Sequence, residues 1–399
     1  MADWTASAVP SGFGGGRQHP MAAHLDRVLL GVIVALAALG LVAVASASVS
    51  VADQAVGDPF YFLKRQTVFL MLGGGLLAAL VHVPLSNWYH AGPGLMLAAL
   101  ALLILVLVPG VGREVNGAVR WIPLGVFNLQ VAEAAKVLLT LYLAGYLVRR
   151  REALGRSTVA FLIPMGVFAV AAFLLLAQPD FGTGLLIMGL AMAMLFLAGV
   201  SLWRFAALLG VLAAGAAALI FYSPYRWERV TAFMDPWSDP FNTGFQLTQS
   251  LIAVGRGEWF GVGIGNSVQK LFYLPEAHTD FVFSVWAEEL GLLGVAVVLL
   301  LFGVLAWRAL ELGRACHRHG LGFPGYVAWG AGLGIALQAF INVGVALGAL
   351  PTKGLTLPLF SYGGSSALAT GALLGLLLRA SVELGQARED GRRPPEEGA

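Results

Sequence analysis

Long apolar segments constrain this chain more than any other feature, because ten of them are long enough to cross a lipid bilayer. A membrane-spanning helix needs about 20 mostly apolar residues. The ten segments cover residues 28–49, 66–83, 92–109, 130–148, 159–177, 183–200, 203–222, 281–307, 325–350 and 361–382. Lipid cannot satisfy an exposed backbone, and the sequence lacks the alternating pattern of a membrane β-barrel, so each segment is predicted to be an α-helix. The expected fold class is an all-α polytopic membrane protein with about ten transmembrane helices.

The composition excludes several other classes of protein. Of the 399 residues, 58% are hydrophobic and 12% are charged, whereas a soluble domain carries about 25% charged residues. A soluble fold of this size could not hide so much apolar surface, which excludes a soluble enzyme, a disordered chain and a nucleic-acid-binding protein. The net charge of +2 is too small to indicate a polyanionic partner. The single cysteine, Cys316, excludes an intrachain disulfide and a cysteine-rich metal site.

Arginines mark one side of the predicted bundle. They follow span four, follow span eight and recur near the C-terminus, and ten spans place all three groups on the same side. These residues are Arg149, Arg150, Arg151, Arg156, Arg308, Arg314, Arg318, Arg388, Arg392 and Arg393. Because positive residues favour the cytoplasmic side, both termini are predicted to be cytoplasmic. The alternative is a signal peptide cleaved near 45–47, which would leave nine spans and termini on opposite sides.

The regions outside the spans divide into tails and outward-facing loops. Residues 1–24 are rich in Gly, Pro and Ser, and residues 386–399 are rich in Arg, Glu and Pro, so both are predicted to be disordered cytoplasmic tails around one transmembrane domain, 25–385. The outward loops are 110–129, 223–280 and 349–363. The second is far longer than a typical connection, and its many aromatic residues favour the membrane interface. Any chemistry is therefore expected on the outer face.

Few ionisable residues lie inside the spans, and each is a candidate for function because burying a charge in lipid is costly. Glu133 and Lys136 are three residues apart and share one helical face. They form either a pair that only stabilises the bundle or the polar lining of a cavity for an anionic headgroup. Glu288 and Glu289 are adjacent, so they point in different directions, and helical spacing favours Glu288 on the face of Asp280.

Asp280 stands at the outer entrance of span eight, in the run Pro-Glu-Ala-His-Thr-Asp-Phe. A carboxylate at this position has two interpretations. It caps the exposed N–H groups of the helix, or it is a general base at the membrane surface that neighbouring aromatic residues partly desolvate. His278, two residues earlier, is either a second proton carrier or an ordinary exposed loop histidine.

Three cations occupy the outward loops and could bind negatively charged groups. Arg113 and Arg120 lie in the first of these loops, and Lys353 lies in the third. Such cations bind lipid headgroups non-specifically or hold a pyrophosphate. Span ten begins at Ser361 and continues with Tyr-Gly-Gly-Ser-Ser, where small residues permit either tight helix packing or close approach of the backbone to a ligand.

Several longer motifs occur in a fixed order along the chain. They are PGVGREVNG (109–117), RWIPLG (120–125), QPDFGT (178–183), PEAHTDF (275–281), EELG (288–291), LPTKGLTLP (350–358) and SYGGSS (361–366). Together they resemble the SEDS family (shape, elongation, division and sporulation). PTKGLTLP and PEAHTDF are similar to the division branch of that family rather than its elongation branch. The resemblance covers roughly residues 25–385.

The resemblance implies a transmembrane peptidoglycan glycosyltransferase that polymerises lipid II at the division septum. It implies that Asp280 is the catalytic base in an outward-facing site beside an apolar groove. The substrate-binding candidates are Arg113, Arg120, Glu133, Lys136, His278, Lys353 and Ser361. The implied partners are lipid II, the class B penicillin-binding protein FtsI and other divisome membrane proteins in the bacterial inner membrane. A divalent cation, Mg²⁺ or Mn²⁺, could assist, although no ligand cluster in the sequence demands one.

Two other functions stay open at this point. A lipid II flippase or transporter fits the number of spans and the buried Glu133 and Lys136, but it fits the outward concentration of polar motifs less well. A non-catalytic scaffold that recruits a septal transpeptidase fits the topology but gives Asp280 no role.

Overall fold

A computed structural model describes residues 21–391 apart from positions 116, 124, 126, 224–226, 229–230, 232 and 353. The helices are α1 (Arg27–Val56), α2 (Tyr61–His82), α3 (Leu85–Leu105), α4 (Val131–Arg149), α5 (Arg151–Arg156), α6 (Thr158–Ala177), α7 (Phe181–Leu197), α8 (Leu202–Phe221), α9 (Phe245–Gly257), α10 (Val282–Arg318), α11 (Gly322–Ala346) and α12 (Gly364–Glu389). A short 3₁₀ helix, Met21–His24, precedes α1. The three strands are β1 (Arg113–Val115), β2 (Ala118–Pro123) and β3 (Asn128–Gln130).

The helical, polytopic membrane fold class is confirmed. Eight helices of the described chain are long and apolar enough to cross a membrane. Two shorter apolar helical segments, Phe181–Leu197 and Trp203–Gly215, fall on the other two predicted spans. The number of spans stays a prediction.

The helix ends differ from the predicted span limits where polar residues continue a helix beyond the apolar stretch. Helix α10 has 37 residues, so Arg308, Arg314 and Arg318 lie in its last turns and not in a loop. Helix α12 continues to Glu389 and therefore includes the first residues of the predicted tail 386–399. Most of the predicted N-terminal tail and residues 392–399 lie outside the described residues.

A small antiparallel sheet occupies the first outward loop, in the order β1-β2-β3. The sequence analysis treated 110–129 as a loop without strands. Val115 pairs with Ala118, and the sequence between them, Asn-Gly, is the favoured sequence of a two-residue hairpin. Trp121 pairs with Gln130 across β2 and β3. Strand β3 leads directly into α4, whose first turn carries Glu133, and Arg120 lies on the neighbouring strand β2.

Three helices, α4, α11 and α12, form the interior of the bundle. Most residues of α4, α11 and α12 are buried, whereas α2 and α3 expose most of theirs. Helix α12 packs closely on α2, because a Cβ added to Gly371 would lie 2.4 Å from the carbonyl oxygen of Gly73. The three buried helices also carry buried polar side chains, among them Lys136, Gln338 and Thr370.

Helix α10 is broken at Gly291, where the backbone has φ 61° and ψ −159°. The segment that follows α9 fills the break. The N–H groups of Val262 and Gly263 donate to the carbonyl oxygens of Glu288 and Glu289 at 3.0 Å each. The N–H group of Leu292 donates to the carbonyl oxygen of Glu258 at 2.9 Å. The backbone groups that the break releases are thus satisfied, as a membrane environment demands. The apolar segment 281–307 predicts one continuous helix here, and the break is a correction to that prediction.

Candidate functional site

Asp280 lies two residues before α10, and the capping interpretation of this residue is wrong. The N-cap position belongs to Phe281, and no side chain caps the helix. Within the described part of the chain, no group donates a hydrogen bond to the Asp280 carboxyl. Its backbone carbonyl oxygen does accept, from Asn342 Nδ2 at 2.8 Å. The carboxyl is therefore held in place through its backbone and left chemically free.

The carboxyl of Asp280 is protonated more easily in the protein than an aspartate in water. The residue is partly buried, and the pKa of its carboxyl is raised from 3.8 to about 7, with burial as the largest cause among those that include the charges described next. The negative charges of Glu276 and Asp180 also raise this pKa, while the Arg120 guanidinium lowers it. A carboxyl with a pKa near neutrality can take up and release a proton at physiological pH.

Arg120 and Asp180 belong to the same electrostatic cluster as Asp280. Arg120 Nε is buried on β2 and has no hydrogen-bond partner among the described residues. Asp180 is buried and begins α7, where its carboxyl accepts from the Thr183 N–H at 3.1 Å and from Thr183 Oγ1 at 2.9 Å. Burial raises the pKa of Asp180, and Arg120 opposes that rise. One guanidinium thus acts on two carboxyl groups that come from different helices.

Glu133 and Lys136 form the buried ion pair that their spacing predicts. Lys136 Nζ lies 2.7 Å from Glu133 Oε2, and the lysine side chain is 1% exposed. Lys136 Nζ also donates to Gln338 Oε1 at 2.5 Å, and Gln338 Nε2 donates to the carbonyl oxygen of Thr356 at 2.9 Å. The charge of Glu133 also contributes to the raised pKa of Asp180. The pair is therefore satisfied within the bundle, and its role as the lining of a cavity for an anionic headgroup stays a prediction.

The third outward loop reaches Asp280 through its backbone. A Cβ added to Gly354 would lie 3.0 Å from Asp280 Oδ2, so this glycine leaves the carboxyl room. Asn342 Nδ2 donates to the carbonyl oxygen of Leu355 at 2.6 Å, which ties this loop to the residue that also holds Asp280. Lys353 lies outside the described residues.

The Ser361 side chain forms a hydrogen bond within its own turn, 357–361. Its hydroxyl accepts from the Leu357 N–H at 2.8 Å, and its carbonyl oxygen accepts from Gln66 Nε2 at 3.0 Å. The hydroxyl of Ser361 therefore stabilises the conformation of the third outward loop.

His278 is part of an aromatic group and not a freely exposed loop residue. Its ring centroid lies 4.5 Å from that of Phe62 and 5.8 Å from that of Tyr362. Burial lowers the pKa of His278, so the neutral imidazole prevails at pH 7. Its Nδ1 is buried without a hydrogen-bond partner among the described residues. The neutral ring can accept or donate one hydrogen bond toward a bound molecule, but it does not supply a positive charge.

Three of the predicted residues lie apart from this cluster. Arg113 is exposed on β1. Glu288 accepts from Arg256 at 3.1 Å and from the hydroxyl of Ser267, and Glu289 pairs with Lys270 at 2.8 Å. Both glutamates thus bind the segment after α9, and the expectation that Glu288 shares a face with Asp280 is wrong. Glu288 and Glu289 precede the break at Gly291, so the helical spacing between them is regular. The break allows the segment after α9 to pack against both residues.

Sequence reasoning missed three polar residues of the site. Asp180 appeared only within a motif, while Gln338 and Asn342 were absorbed into an apolar span. The signal for the last two was available, because amides are rare in such segments. Within the described chain, no three His, Cys, Asp or Glu side chains are grouped so that they could hold an ion, and the assisting divalent cation stays a prediction.

The fold and the cluster define a class of protein: a polytopic helical membrane protein with a carboxyl of raised pKa just before the start of one helix. The chain belongs to the SEDS family, since the family's sequence profile, described as "Cell cycle protein" and covering FtsW, RodA and SpoVE, matches residues 26–386.

Individual relatives support the division branch of the family. The chain is 72% identical to a probable peptidoglycan glycosyltransferase FtsW of Halorhodospira halophila, over 99% of each chain. It is 61% identical to the corresponding protein of Alkalilimnicola ehrlichii, over 90% of each chain.

Solved structures show the same fold. A chain of a peptidoglycan synthase complex that coordinates polymerization and crosslinking superimposes with a TM-score of 0.73 at 36% identity, over 91% of this chain and 99% of that one. The rod shape determining protein RodA of Thermus thermophilus gives a TM-score of 0.65 at 33% identity, over 90% of this chain and 96% of that one.

Proposed function

We propose that this protein is a peptidoglycan glycosyltransferase that polymerises lipid II into glycan strands during septal cell-wall synthesis. One observation carries the proposal: Asp280 presents a carboxyl that accepts no hydrogen bond from the described residues and has a pKa of about 7. A structural carboxylate is normally capped or paired, as Asp180 is by Thr183. A free carboxyl of raised pKa is typical of a general base.

The reaction requires one proton acceptor and one leaving group. Asp280 takes the proton from the 4-hydroxyl of the acceptor GlcNAc, whose oxygen attacks C1 of the donor MurNAc. The bond from C1 to the pyrophosphate breaks, and undecaprenyl pyrophosphate leaves. The donor is α-linked and the product β-linked, so a single in-line displacement with inversion is sufficient. The leaving group is already activated, so the paired carboxylates of a glycosidase are not needed.

Arg120 is the cation best placed to act on the pyrophosphate. Its guanidinium already acts on both Asp280 and Asp180, and its buried Nε is unpaired among the described residues. Negative charge that develops on the leaving pyrophosphate would be stabilised by such a preorganised cation. Arg113 lies farther out on the exposed strand, where it can attract the substrate, and Lys353 is assigned the same role from its place in the sequence. Glu133 and Lys136 would border the bound substrate from the interior.

The family and the charge pattern support the location and the partners that we propose. The protein is a multi-pass membrane protein, and we place it in the bacterial inner membrane at the septum with Asp280 on the periplasmic side. A class B penicillin-binding protein of the FtsI type is the proposed partner. This assignment is supported by the similarity to a chain of a peptidoglycan synthase complex. The arginine-rich helix ends support a cytoplasmic location for the opposite side.

The decisive experiment compares Asp280→Asn with Asp235→Asn. Asp235 is an exposed carboxylate of the long outer loop, so the second variant makes the same chemical change away from the cluster. Each protein, purified with its transpeptidase partner, is given lipid II, and the glycan strands are measured. Loss of the base should lower the rate by about 10²–10⁴-fold, while Asp235→Asn should retain the wild-type rate. Full polymerisation by Asp280→Asn would overturn the assignment of the base.

The same preparations separate the two alternative functions. A flippase would move labelled lipid II across a liposome membrane without forming polymer. The buried charge of Lys136 is already paired with Glu133, and Lys136 also donates to the amide oxygen of Gln338, which argues against that function. A scaffold would support cell division even as Asp280→Ala, whereas the proposed polymerase would not.

A further inference from the structure

Two polar cross-links join the start and the middle of α1 to α10. At one end, Arg308 donates to Asp26 Oδ2 through Nη2 at 2.6 Å. At the other end, Ser46 Oγ donates to Glu289 Oε1 at 2.6 Å. The 20 positions from 26 to 46 correspond to about 30 Å of helix, which matches the thickness of a bilayer's hydrocarbon core. Residues 290–307 of α10 contain no charged residue.

A cavity of about 560 Å³ lies at the level of the Arg308 cross-link. It is enclosed by the segment before α1, the first turn of α1, the last third of α10 and the end of α12. Trp307, next to this level, is 61% exposed, as expected for an aromatic residue at the membrane interface. The cavity therefore opens where lipid headgroups lie, at the arginine-rich end of the bundle.

The charges around the cavity do not balance. Arg308 is neutralised by Asp26 and Glu311, with which it makes contacts of 2.6 Å each. Arg27 and Arg388 also line the cavity; both are exposed, and neither contacts a carboxylate among the described residues. The lining thus has three arginines against two carboxylates.

The rest of the lining suits the apolar part of a lipid. Val28, Leu312 and Leu384 contribute side chains to the same cavity, and the first of them is 49% exposed. An anionic group at Arg27 and Arg388 would therefore have an apolar surface beside it that leads toward the bilayer. A soluble anion would gain nothing from that surface, whereas an acyl chain would.

We propose that this cavity binds the headgroup of an acidic glycerophospholipid from the leaflet at the arginine-rich end of the bundle. The phosphate lies between Arg27 and Arg388, and the acyl chains run along the exposed apolar residues of α1 and α10. Basic pockets between transmembrane helices at this depth recognise anionic headgroups. The inference concerns a site far from Asp280 and is independent of the proposed polymerase activity.

The test uses phosphatidylglycerol and phosphatidylcholine with identical acyl chains, titrated into the full-length protein in detergent and followed by native mass spectrometry. Phosphatidylglycerol should bind more tightly. The double variant Arg27→Gln/Arg388→Gln should weaken its binding by roughly thirty-fold, about fivefold for each arginine. Arg314→Gln/Arg318→Gln is the matched control, because it removes two exposed arginines of α10 that do not line the cavity. The control should bind phosphatidylglycerol like the wild type.

Three results would overturn the assignment. The two lipids could bind equally well, or the control pair could weaken binding as much as the cavity pair. Alternatively, inorganic phosphate at millimolar concentration could displace phosphatidylglycerol, which would identify a site for free phosphate. An unchanged melting temperature of each variant shows that the comparison is between folded proteins.

Discussion

At the scale of single residues, the site combines a free carboxyl with side chains that are already satisfied. Thr183 holds Asp180, and Glu133 and Gln338 hold Lys136. Asp280 has no such partner among the described residues and is held through its backbone by Asn342. Groups that must keep their position are bonded, whereas the group proposed to exchange a proton is not.

The raised pKa of Asp280 predicts the pH dependence of the reaction. A general base must be deprotonated, so the rate of polymerisation should fall about tenfold per pH unit below the pKa, which lies at about 7. Arg120 lowers this pKa, so Arg120→Gln should move the midpoint of the profile to higher pH. Single-turnover rates with lipid II between pH 5.5 and 8.5 give this midpoint. A rate that is constant over that range would contradict the role of Asp280.

Stability should change in the opposite sense to activity. Because the folded-state pKa lies above the ordinary value of 3.8, the protonated carboxyl favours the folded state, and this contribution is lost as pH rises toward about 7. Asp280→Asn should consequently raise the melting temperature relative to wild type at pH 8 more than at pH 4. Equal differences at both pH values would show that the carboxyl ionises as easily in the folded protein as in the unfolded one.

At the scale of elements, the broken helix α10 is the feature that most depends on contacts distant in sequence. The backbone of residues 257–263 packs against α10 beside the break at Gly291. The two backbones lie so close together that only glycine fits at positions 257 and 261. A Cβ added to Gly261 would lie 2.1 Å from the carbonyl oxygen of Glu289, and one added to Gly257 would lie 2.0 Å from that of Ala287. This contact fixes the outer half of α10, at whose end Asp280 lies.

Alanine substitutions of two nearby glycines test this contact. Gly261 and Gly265 both have positive φ, of 77° and 87°. Gly261→Ala should destabilise the protein by about 3 kcal/mol or more, because it adds a backbone clash to the strain of a left-handed residue. Gly265→Ala, with nothing within 4 Å of its added Cβ, should cost only about 1 kcal/mol. Denaturant titration in lipid nanodiscs measures both. Equal losses would show that the segment does not pack against α10 in the membrane.

At the scale of the whole molecule, the bundle has a polar interior among helices that face lipid on the outside. The buried helices α4, α11 and α12 carry the amides, hydroxyls and ion pair, while α2 and α3 present apolar residues outward. Because lipid tails provide no hydrophobic drive between helices, close packing and interhelical hydrogen bonds stabilise this arrangement. The contact of Gly371 with Gly73 and the bonds of Gln338 are examples.

Reporter fusions test the predicted topology of the whole chain. Alkaline phosphatase, which is active only outside the cytoplasm, should be active when fused after residue 240, in the long outer loop. It should be inactive after residue 150, beside the arginine-rich end of α4, and after residue 391. Activity after residue 391 would place the C-terminus outside the cytoplasm and contradict the predicted topology.

Particular residues show how far sequence reasoning reached. The pairing of Glu133 with Lys136 was predictable because both lie on one helix, where spacing alone determines the contact. The partners of Glu288 and Glu289 were not, since Arg256 and Lys270 come from a segment whose position depends on the break in α10. The strands of the small sheet were missed because β1 and β3 have only three residues each and the six residues of β2 show no alternation of buried and exposed positions.

The sequence by itself determined that this chain is a helical membrane protein, since its apolar segments leave no other way to satisfy both backbone and side chains. It also determined the family, through motifs that keep their order along the chain. Only the tertiary structure decided which polar groups are paired and which are free, because that depends on helices distant in sequence meeting inside the bundle. Glu288 pairs with Arg256 and Glu289 with Lys270 for that reason, whereas Asp180 is bonded locally by Thr183 and the carboxyl of Asp280 has no hydrogen-bond partner among the described residues.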